Sequence, residues 1–367
     1  MKMMWMIVFF ALPLLGIVYC SWHVWAVLPF GPWLKALVVA LGILAFLLMF
    51  FNLAGLPDRL PMPLARAAYN VGFSSIFVML YLVMLFLVLD AGRLCGLVPR
   101  AWLHNNGTAS LAILALMAAI FIGGNLHYRH KTHHTLELTT TKQLDRPLKV
   151  VLLSDLHLGY HNPRKELARW VDMINKEKAD AILIAGDIID GSMRPLNEEQ
   201  TADEFLRLNA PVYACLGNHE YYSGEPDAEK FYRQADIRLL RDQVANEGRL
   251  CIMGRDDRTN RRRQSVAQLA QKADHERFTI LMDHQPYQLE EAEQAGIDFQ
   301  LSGHTHHGQV WPISWITDAI YECAFGQHQR GNTHYYVSSG IGIWGGKYRI
   351  GTCSEYVVAT IRQQKAL

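Results

Sequence analysis

No two of the six cysteines (Cys20, Cys95, Cys215, Cys251, Cys323 and Cys353) stand as a CxxC pair, which argues against a structural zinc site built on such pairs. Nor is there a disulfide framework of the kind that small secreted domains carry, in agreement with a reducing compartment. Net charge is almost absent: 35 Lys and Arg against 34 Asp and Glu leave +1. Without a basic excess or a basic stripe, the chain lacks the electrostatic footprint of a nucleic-acid binder. The order GxxxxGK[ST] is missing too, so the Gly-rich loop Gly342–Gly351, with Lys347 and Arg349, is no P-loop, although its basic pair could still sit near a site. The long apolar runs of the N-terminal third hold almost no ionisable residue. A transporter or proton relay wants charge at mid-depth, so anchoring is the better reading of these runs.

What is present is unevenly spread. The 367 residues suit two modules, with residues 1–126 almost wholly apolar and residues 143–367 holding most of the charge. Four stretches approach the roughly 20 apolar residues that a bilayer core takes: Met3–Cys20, Trp33–Leu56, Val71–Leu89 and the shorter Ser110–Gly124. Only Lys2 precedes the first, and no small-x-small site follows it, so it reads as a span rather than a cleaved signal. Trp22, Trp25, Trp33, Tyr69, Tyr81 and Trp102 read as interfacial aromatics. Four spans put both ends of the segment on one side. That side carries Lys2, Arg59, Arg66, Arg129 and Lys131 against Lys35, Arg93 and Arg100 on the other, which favours a cytoplasmic catalytic half at an inner or plasma membrane. The histidines His127, His130, His133 and His134, with Arg129 and Lys131, read as an interfacial basic patch in preference to a metal site. Residues 127–147 are expected to be a linker.

From Leu148 the pattern changes to short runs rich in Val, Ile and Leu: Leu148–Ser154, Ala181–Ala185, Val212–Leu216, Leu250–Met253, Phe278–Met282, Phe299–Leu301, Tyr335–Val337 and Tyr356–Ile361. These are the lengths and compositions of buried strands. Helix-like segments alternate with the early ones. Pro163–Lys178 opens on Asn162 and Pro163, an N-cap and N1 pair, and Gln285–Gln294 reads similarly. The fold class is therefore α/β, with mixed sheets.

Five of these runs end on residues of metal-ligand type. They lead into Asp155-Leu156-His157, Gly186-Asp187, Gly217-Asn218-His219-Glu220, Asp283-His284 and Gly303-His304-Thr305-His306. One Asp after a strand is usually a helix cap, but five such endings at one edge of a sheet build a site. The residue types fit two divalent ions that clamp both oxygens of an in-line phosphoryl displacement. Carboxylates offset the charge, while neutral imidazoles and an amide oxygen leave Lewis acidity. The absence of thiolate among these donors favours manganese, iron or zinc. A water shared by two cations loses its proton near neutral pH and becomes the nucleophile.

Taken together and in order, these blocks resemble the calcineurin-like metallophosphoesterase superfamily over about residues 148–361. With the helical anchor, SDLHLG, GNHE and SGHTHHGQ are most similar to the membrane-anchored subfamily around YkuE and YaeI. The resemblance implies a four-layer α/β/β/α sandwich at residues 148–367, preceded by an anchor of about four transmembrane helices. It implies that Asp155, His157 and His306 bind a first metal, that Asn218, His284 and His304 bind a second, and that Asp187 bridges them. His219 would bind no metal and would protonate the leaving oxygen. Glu220, where relatives often carry Asp, could orient that imidazole. The implied activity is hydrolysis of a phosphoester or pyrophosphate by a metal-bridging hydroxide. A membrane anchor favours a lipid-linked substrate such as UDP-2,3-diacylglucosamine. The competing classes are a membrane sensor or transporter, and a structural module that binds metal without turnover. Among the remaining residues, Asp190 reads as a turn-former or as an acceptor beside the ligands, His161 as a loop residue facing solvent, His307 as outside the ligand set, and Arg255 as able to reach the site. The run Arg258–Arg263 reads as a solvated loop. Oligomeric state leaves no trace in the sequence.

Overall fold

The computed structural model describes residues 2–364, with side chains described from Ala11 onward. The outermost residues of the two expected domains, Met1 and 365–367, lie outside that range. The chain divides into two compact units. The first comprises residues 1–126 with 345–347, and the second comprises residues 127–344 with 348–367.

The helical unit contains α1 (Lys2–Val27), α2 (Pro32–Leu53), α3 (Met62–Leu94) and α4 (Gly107–Arg129). Among the described residues, α2, α3 and α4 are long and apolar enough to cross a membrane, and the searched part of α1, Ala11–Val27, is shorter. Three helices thus meet the criterion where four spans were expected. Leucines such as Leu41, Leu44, Leu87 and Leu114 stand exposed on these helices, as side chains facing acyl chains do. One reading of this unit needs correction. Tyr81 lies in the middle of α3, buried against Phe121, and is not an interfacial aromatic. The helices carry a polar group at one end: Asp90 on α3 accepts from Tyr19 (2.8 Å) and lies 3.0 Å from His23 Nε2, both of α1. Asp90 is four residues from the end of α3, so this group sits near one end of the helix pair and ties it together.

The second unit holds two six-stranded sheets. In the first, the order is β1 (Lys131–Thr140), β12 (Ser354–Gln363), β2 (Leu148–Leu153), β3 (Ala181–Ala185), β4 (Val212–Cys215) and β5 (Ile237–Leu239). In the second it is β10 (Gly326–Arg330), β11 (Thr333–Val337), β9 (Phe299–Ser302), β8 (Phe278–Met282), β7 (Leu250–Gly254) and β6 (Gln243–Glu247). β2, β3 and β4 are parallel, as are β7, β8 and β9, so their carboxyl ends point the same way within each sheet.

Period-two alternation then builds the layers. Val150 and Leu152 of β2 face the second sheet, with Ile252, Ile280 and Leu301 in the same core. Val151 and Leu153 face outward, onto Leu167, Trp170 and Ile174 of α5 (Arg164–Lys176). Met253, Leu281 and Val337 of the second sheet pack outward against Leu269, Leu289 and Ala292 of its flanking helical segments. Helix, sheet, sheet and helix make four layers, as the resemblance implied. Two shorter helices matter for the site: α6 (Asn218–Ser223) and α7 (Ile313–Ile320).

The linker expected at residues 127–147 is largely absent. His127–Arg129 complete α4, and Lys131–Thr140 form β1, paired in parallel with β12 over its whole length. β1 escapes a hydrophobicity reading because only one face is covered: Leu136 and Leu138 are buried while Thr135, Glu137 and Thr139 are exposed. The expected caps also shift. Pro163, not Asn162, is the N-cap of α5, and the Asn162 amide instead donates to the carbonyls of Leu156, His157 and Ile343. Helix after Gln285 is limited to Glu290–Gln294.

If β1 is a structural strand, Leu138→Ala should destabilise the second unit by about 2–5 kcal/mol through lost burial and a cavity. Thr135→Ala, on the exposed face, should stay within about 0.5 kcal/mol. Thermal unfolding of the detergent-solubilised chain followed by circular dichroism compares the two, and equal shifts would refute the assignment.

Candidate metal centre

The site forms where the carboxyl ends of the two sheets meet. β2 runs into Asp155 and His157, β3 into Asp187, and β4 into Asn218 and His219 at the start of α6. From the second sheet, β8 runs into His284 and β9 into His304 and His306. Hydrogen bonds cross the seam: His284 Nδ1 donates to the carbonyl of Ala185 at 2.7 Å, and the His304 backbone N–H donates to the Asp155 carboxylate at 3.1–3.2 Å. The first bond fixes the orientation of the His284 ring and leaves Nε2 turned toward the site.

The donor atoms converge. Asp155, His157 and His306 form one group whose ligand atoms lie within 4.8 Å of one another, and Asp187, His284 and His304 form another. Asp187 lies between them: its Oδ2 is 3.6 Å from His157 Nε2 and 3.1 Å from His284 Nε2. His157 Nε2 and His306 Nε2 face each other at 3.0 Å, and each lies 3.5–3.7 Å from Asp155 Oδ1. Asn218 Oδ1 is buried without a hydrogen-bond partner among the described residues. A buried acceptor left without a partner is costly, and a divalent cation would satisfy it. The donor set of imidazole, carboxylate and amide oxygen therefore fits two such ions.

The glycines of the motifs have a steric cause. A Cβ on Gly217 would stand 2.1 Å from Asp187 Oδ1, one on Gly303 would stand 2.3 Å from Asp155 Oδ2, and one on Gly186 would stand 2.7 Å from His284 Nδ1. Each glycine yields its side-chain space to a donor arriving from a different strand. The backbone is also unusual at the donors themselves, with positive φ at Asp155, His157, Asp187, His304 and His306.

Electrostatics follow from burial. Burial works to raise the Asp187 carboxyl, but His284, His219 and His157 together outweigh it and hold Asp187 well below the ordinary range. Burial works against a charge on His284, and Asp187 overturns that and holds the imidazole well above its ordinary value. His157 is lowered by burial but raised more by Asp155 and Asp190, reaching about 10. His304 falls to about 4 through burial and the neighbouring His284 charge, and His306 falls to about 3 through burial. In the metal-free chain, then, protons on His157 and His284 balance the buried carboxylates.

His219 has a ligand atom within 4.8 Å of those of His157 and Asp187, and Asp190 engages its ring. Its Nδ1 is 2.8 Å from Asp190 Oδ1, and its backbone N–H donates to Asp187 Oδ1 at 2.9 Å. Asp190, rather than Glu220, therefore orients the imidazole. Glu220 instead folds back as a capping residue, accepting from the backbone N–H groups of Asp187, Ile188, Ile189 and Gly217 at 2.7–3.1 Å. His161 is also reassigned: it is buried, with Nε2 2.6 Å from the carbonyl of Ile343 and Nδ1 3.6 Å from Asp190. His307 stacks on Phe325, outside the donor groups.

Arg255 does not serve as a phosphate fork, because it pairs with Asp283 (3.0 Å) and Glu291 (2.9 Å). Within the basic run, Arg263 is likewise tied to Asp283 at 2.9 Å. Arg349 is wholly buried and donates to the carbonyl of His306 at 2.6 Å, and also to the carbonyl of Ser339. It positions a donor loop from beneath. Sequence offered only its nearness to a Gly-rich loop.

A model of the calcineurin-like phosphoesterase family matches residues 148–308. An uncharacterized metallophosphoesterase of Aquifex aeolicus is 32% identical over 227 residues, covering 59% of this chain and 85% of that protein. The chain belongs to this family of metallophosphoesterases. An uncharacterized metallophosphoesterase of Helicobacter pylori is 32% identical over 219 residues, 58% of this chain and 59% of that protein. The uncharacterized metallophosphoesterase YkuE of Bacillus subtilis is 28% identical over 251 residues, 64% of this chain and 86% of that protein. The match spans about three fifths of the length of the Helicobacter relative.

Two tests follow. To donate lone pairs, His157 and His284 must give up their protons, so metal binding should release roughly two protons at neutral pH and weaken as pH falls. Calorimetry in buffers of different ionisation enthalpy reads this, and a binding enthalpy independent of buffer would contradict it. Gly303→Ala should lower metal affinity at least ~10-fold, the scale of a disturbed ligand support, as measured by metal titration.

Proposed function

We propose that the chain is a membrane-anchored hydrolase of phosphoester or pyrophosphate bonds. Asp155, His157 and His306 would hold one divalent ion, Asn218, His284 and His304 the other, with Asp187 shared. When bound, the pair supplies Lewis acidity toward a phosphoryl group and an activated water. Manganese, iron and zinc all accept such N and O donors.

The observation that carries this reading is the placement of His219. It sits within reach of Asp187 and His157, yet Asp190 occupies its Nδ1, so Nε2 is left to face a leaving oxygen. A module that only bound metal would have no use for a histidine held in this way. Asp190 is held well below the ordinary carboxylate range by His157 and His219 against the effect of burial, so it offers the His219 Nδ1 a charged acceptor. Arg255, Arg263 and Arg349 take no direct part, since all three are committed to carbonyls or carboxylates.

The surroundings favour an amphipathic substrate. Tyr222 is 5.2 Å and Trp344 6.5 Å from the His219 ring, and Tyr321 is 6.4 Å from that of His304. Beyond the loop carrying His304 and His306, Trp311 and the α7 residues Trp315, Ile316 and Ile320 are exposed. Exposed apolar surface of this kind beside a polar site suits acyl chains. A lipid-linked pyrophosphate such as UDP-2,3-diacylglucosamine fits that description. The catalytic unit follows α4 with only His130 between α4 and β1, which would keep it at the membrane surface. The excess of Lys and Arg on the terminal side makes that surface cytoplasmic.

Turnover of a chromogenic phosphodiester by the solubilised chain with manganese should be abolished by EDTA. His219→Gln should lower kcat by about 10²–10⁴ while metal content is unchanged, and Asp190→Asn should lower kcat more than it raises KM. Wild-type-like turnover in His219→Gln would reject the mechanism. Faster turnover of lipid pyrophosphates than of soluble diesters in mixed micelles would fix the substrate class.

A further inference from the structure

The histidine-rich segment that follows α4 is not absorbed by the centre described above, and part of it meets other metal-ligand residues. β1 and β12 run in parallel register, Thr132 opposite Glu355 and His134 opposite Val357. Alternation puts Thr132 and His134 on the same face as Glu355 and Val357, the face that buries Leu136 and Leu138 between the sheets. Cys353 stands two residues before Glu355. One ligand atom from each of His134, Cys353 and Glu355 lies within 4.8 Å of the others. His134 Nε2 is 3.1 Å from Glu355 Oε2. Glu355 is wholly buried. Its carboxylate accepts from Ser339 N at 3.0 Å and from the Tyr336 hydroxyl at 3.2 Å, which leaves lone pairs over.

We propose that His134, Cys353 and Glu355 form a third metal site, separate from the binuclear centre, which takes a thiophilic divalent ion of the zinc class. One imidazole nitrogen, one thiolate sulfur and one carboxylate oxygen are a donor mixture that zinc accepts, whereas magnesium and calcium prefer oxygen alone. Three protein donors leave a fourth position for water. An ion pair between His134 and Glu355 accounts for two of the residues, while Cys353, whose Sγ is 4.0 Å from the Ser339 hydroxyl, brings a third donor type to the same point. Burial raises the Cys353 thiol, and a bound cation is the agent that draws off its proton. This site differs from the CxxC type that the cysteine spacing excludes, because its donors come from two paired strands. It would also brace a segment that the binuclear centre uses. Glu355 holds the backbone of Ser339, the carbonyl of Ser339 accepts from Arg349, and Arg349 holds the carbonyl of His306.

Cobalt distinguishes the two centres, because the binuclear donors include no sulfur. The full-length chain, freed of metal and reloaded with cobalt(II) alone, should show a near-ultraviolet sulfur-to-cobalt charge-transfer band. Cys353→Ser and His134→Ala should abolish that band, while Cys323→Ser keeps it. The visible cobalt bands of the binuclear centre should persist in all three variants, showing that they are folded. Zinc content after dialysis should fall by about one equivalent per chain in Cys353→Ser. Absence of the charge-transfer band in the wild-type chain at saturating cobalt would overturn the proposal, as would its survival in Cys353→Ser. Because the band reports sulfur alone, its presence or absence is independent of whether the binuclear reading holds.

Discussion

The hydrogen bond from His284 to the carbonyl of Ala185 is the contact on which the site depends, since it joins the end of β8 in one sheet to the end of β3 in the other. Each sheet alone would present only half a donor set. Closing the seam brings Asp187 against His284 and Asp155 against the loop after β9. It leaves so little room that Gly186, Gly217 and Gly303 can carry no side chain. The glycines of the motifs therefore belong to the packing of one strand end against another as much as to the chemistry. The same closeness places Asp187 between the two donor groups, within 3.6 Å of His157 and 3.1 Å of His284.

Bringing carboxylates together inside a protein requires compensating charge. Two solutions operate here. Asp155, Asp187 and Asp190 are matched by imidazoles, so their charges rise and fall with protons on His157 and His284. Glu220, one turn along α6, is matched by four backbone N–H groups instead. Burial and the repulsion of Asp187 raise its pKa, and the backbone donors oppose that rise. The result is a division of labour between neighbouring residues. His219 faces the cleft and is steered by Asp190, while Glu220 ties the loop after β3 to the start of α6. An orienting carboxylate sought next to His219 in the chain lies in fact 29 residues away, on the loop after β3.

The interior of both sheets was legible in the sequence, and their rims were not. All eight apolar runs are strands. The four strands that hydrophobicity does not reveal, β1, β5, β6 and β10, are the outermost strands of the two sheets. The cause is physical: an inner strand covered on both faces reads as a continuous apolar run, while an edge strand such as Gln243–Glu247 or Gly326–Arg330 faces water and keeps polar side chains. The donors were legible because each follows an apolar strand directly. Their supports were not, because Asp190, Arg349 and His161 act through contacts that only the folded chain creates. A buried Arg349 in a Gly-rich run looks, in sequence, like an exposed basic residue at a loop.

The geometry of the donors carries a backbone cost that the fold has to meet. Positive φ at a residue other than glycine is uncommon, and Asp is better suited to it than most. Here Asp155 and Asp187 adopt it, but so do His157, His304 and His306. At about 1–3 kcal/mol for each strained position, five of them approach the whole net stability of a domain, about 5–15 kcal/mol. Such conformations persist only where the surroundings over-determine them. That is the work of Glu220 beneath Asp187, of Asn162 on the carbonyl of His157, and of Arg349 on the carbonyl of His306. Three of the five strained donors, Asp187, His157 and His306, are thus held by a buried polar side chain that is not itself a donor. The strands remain regular up to their last residue, and the strain is confined to the loops where it aims a side chain into the seam.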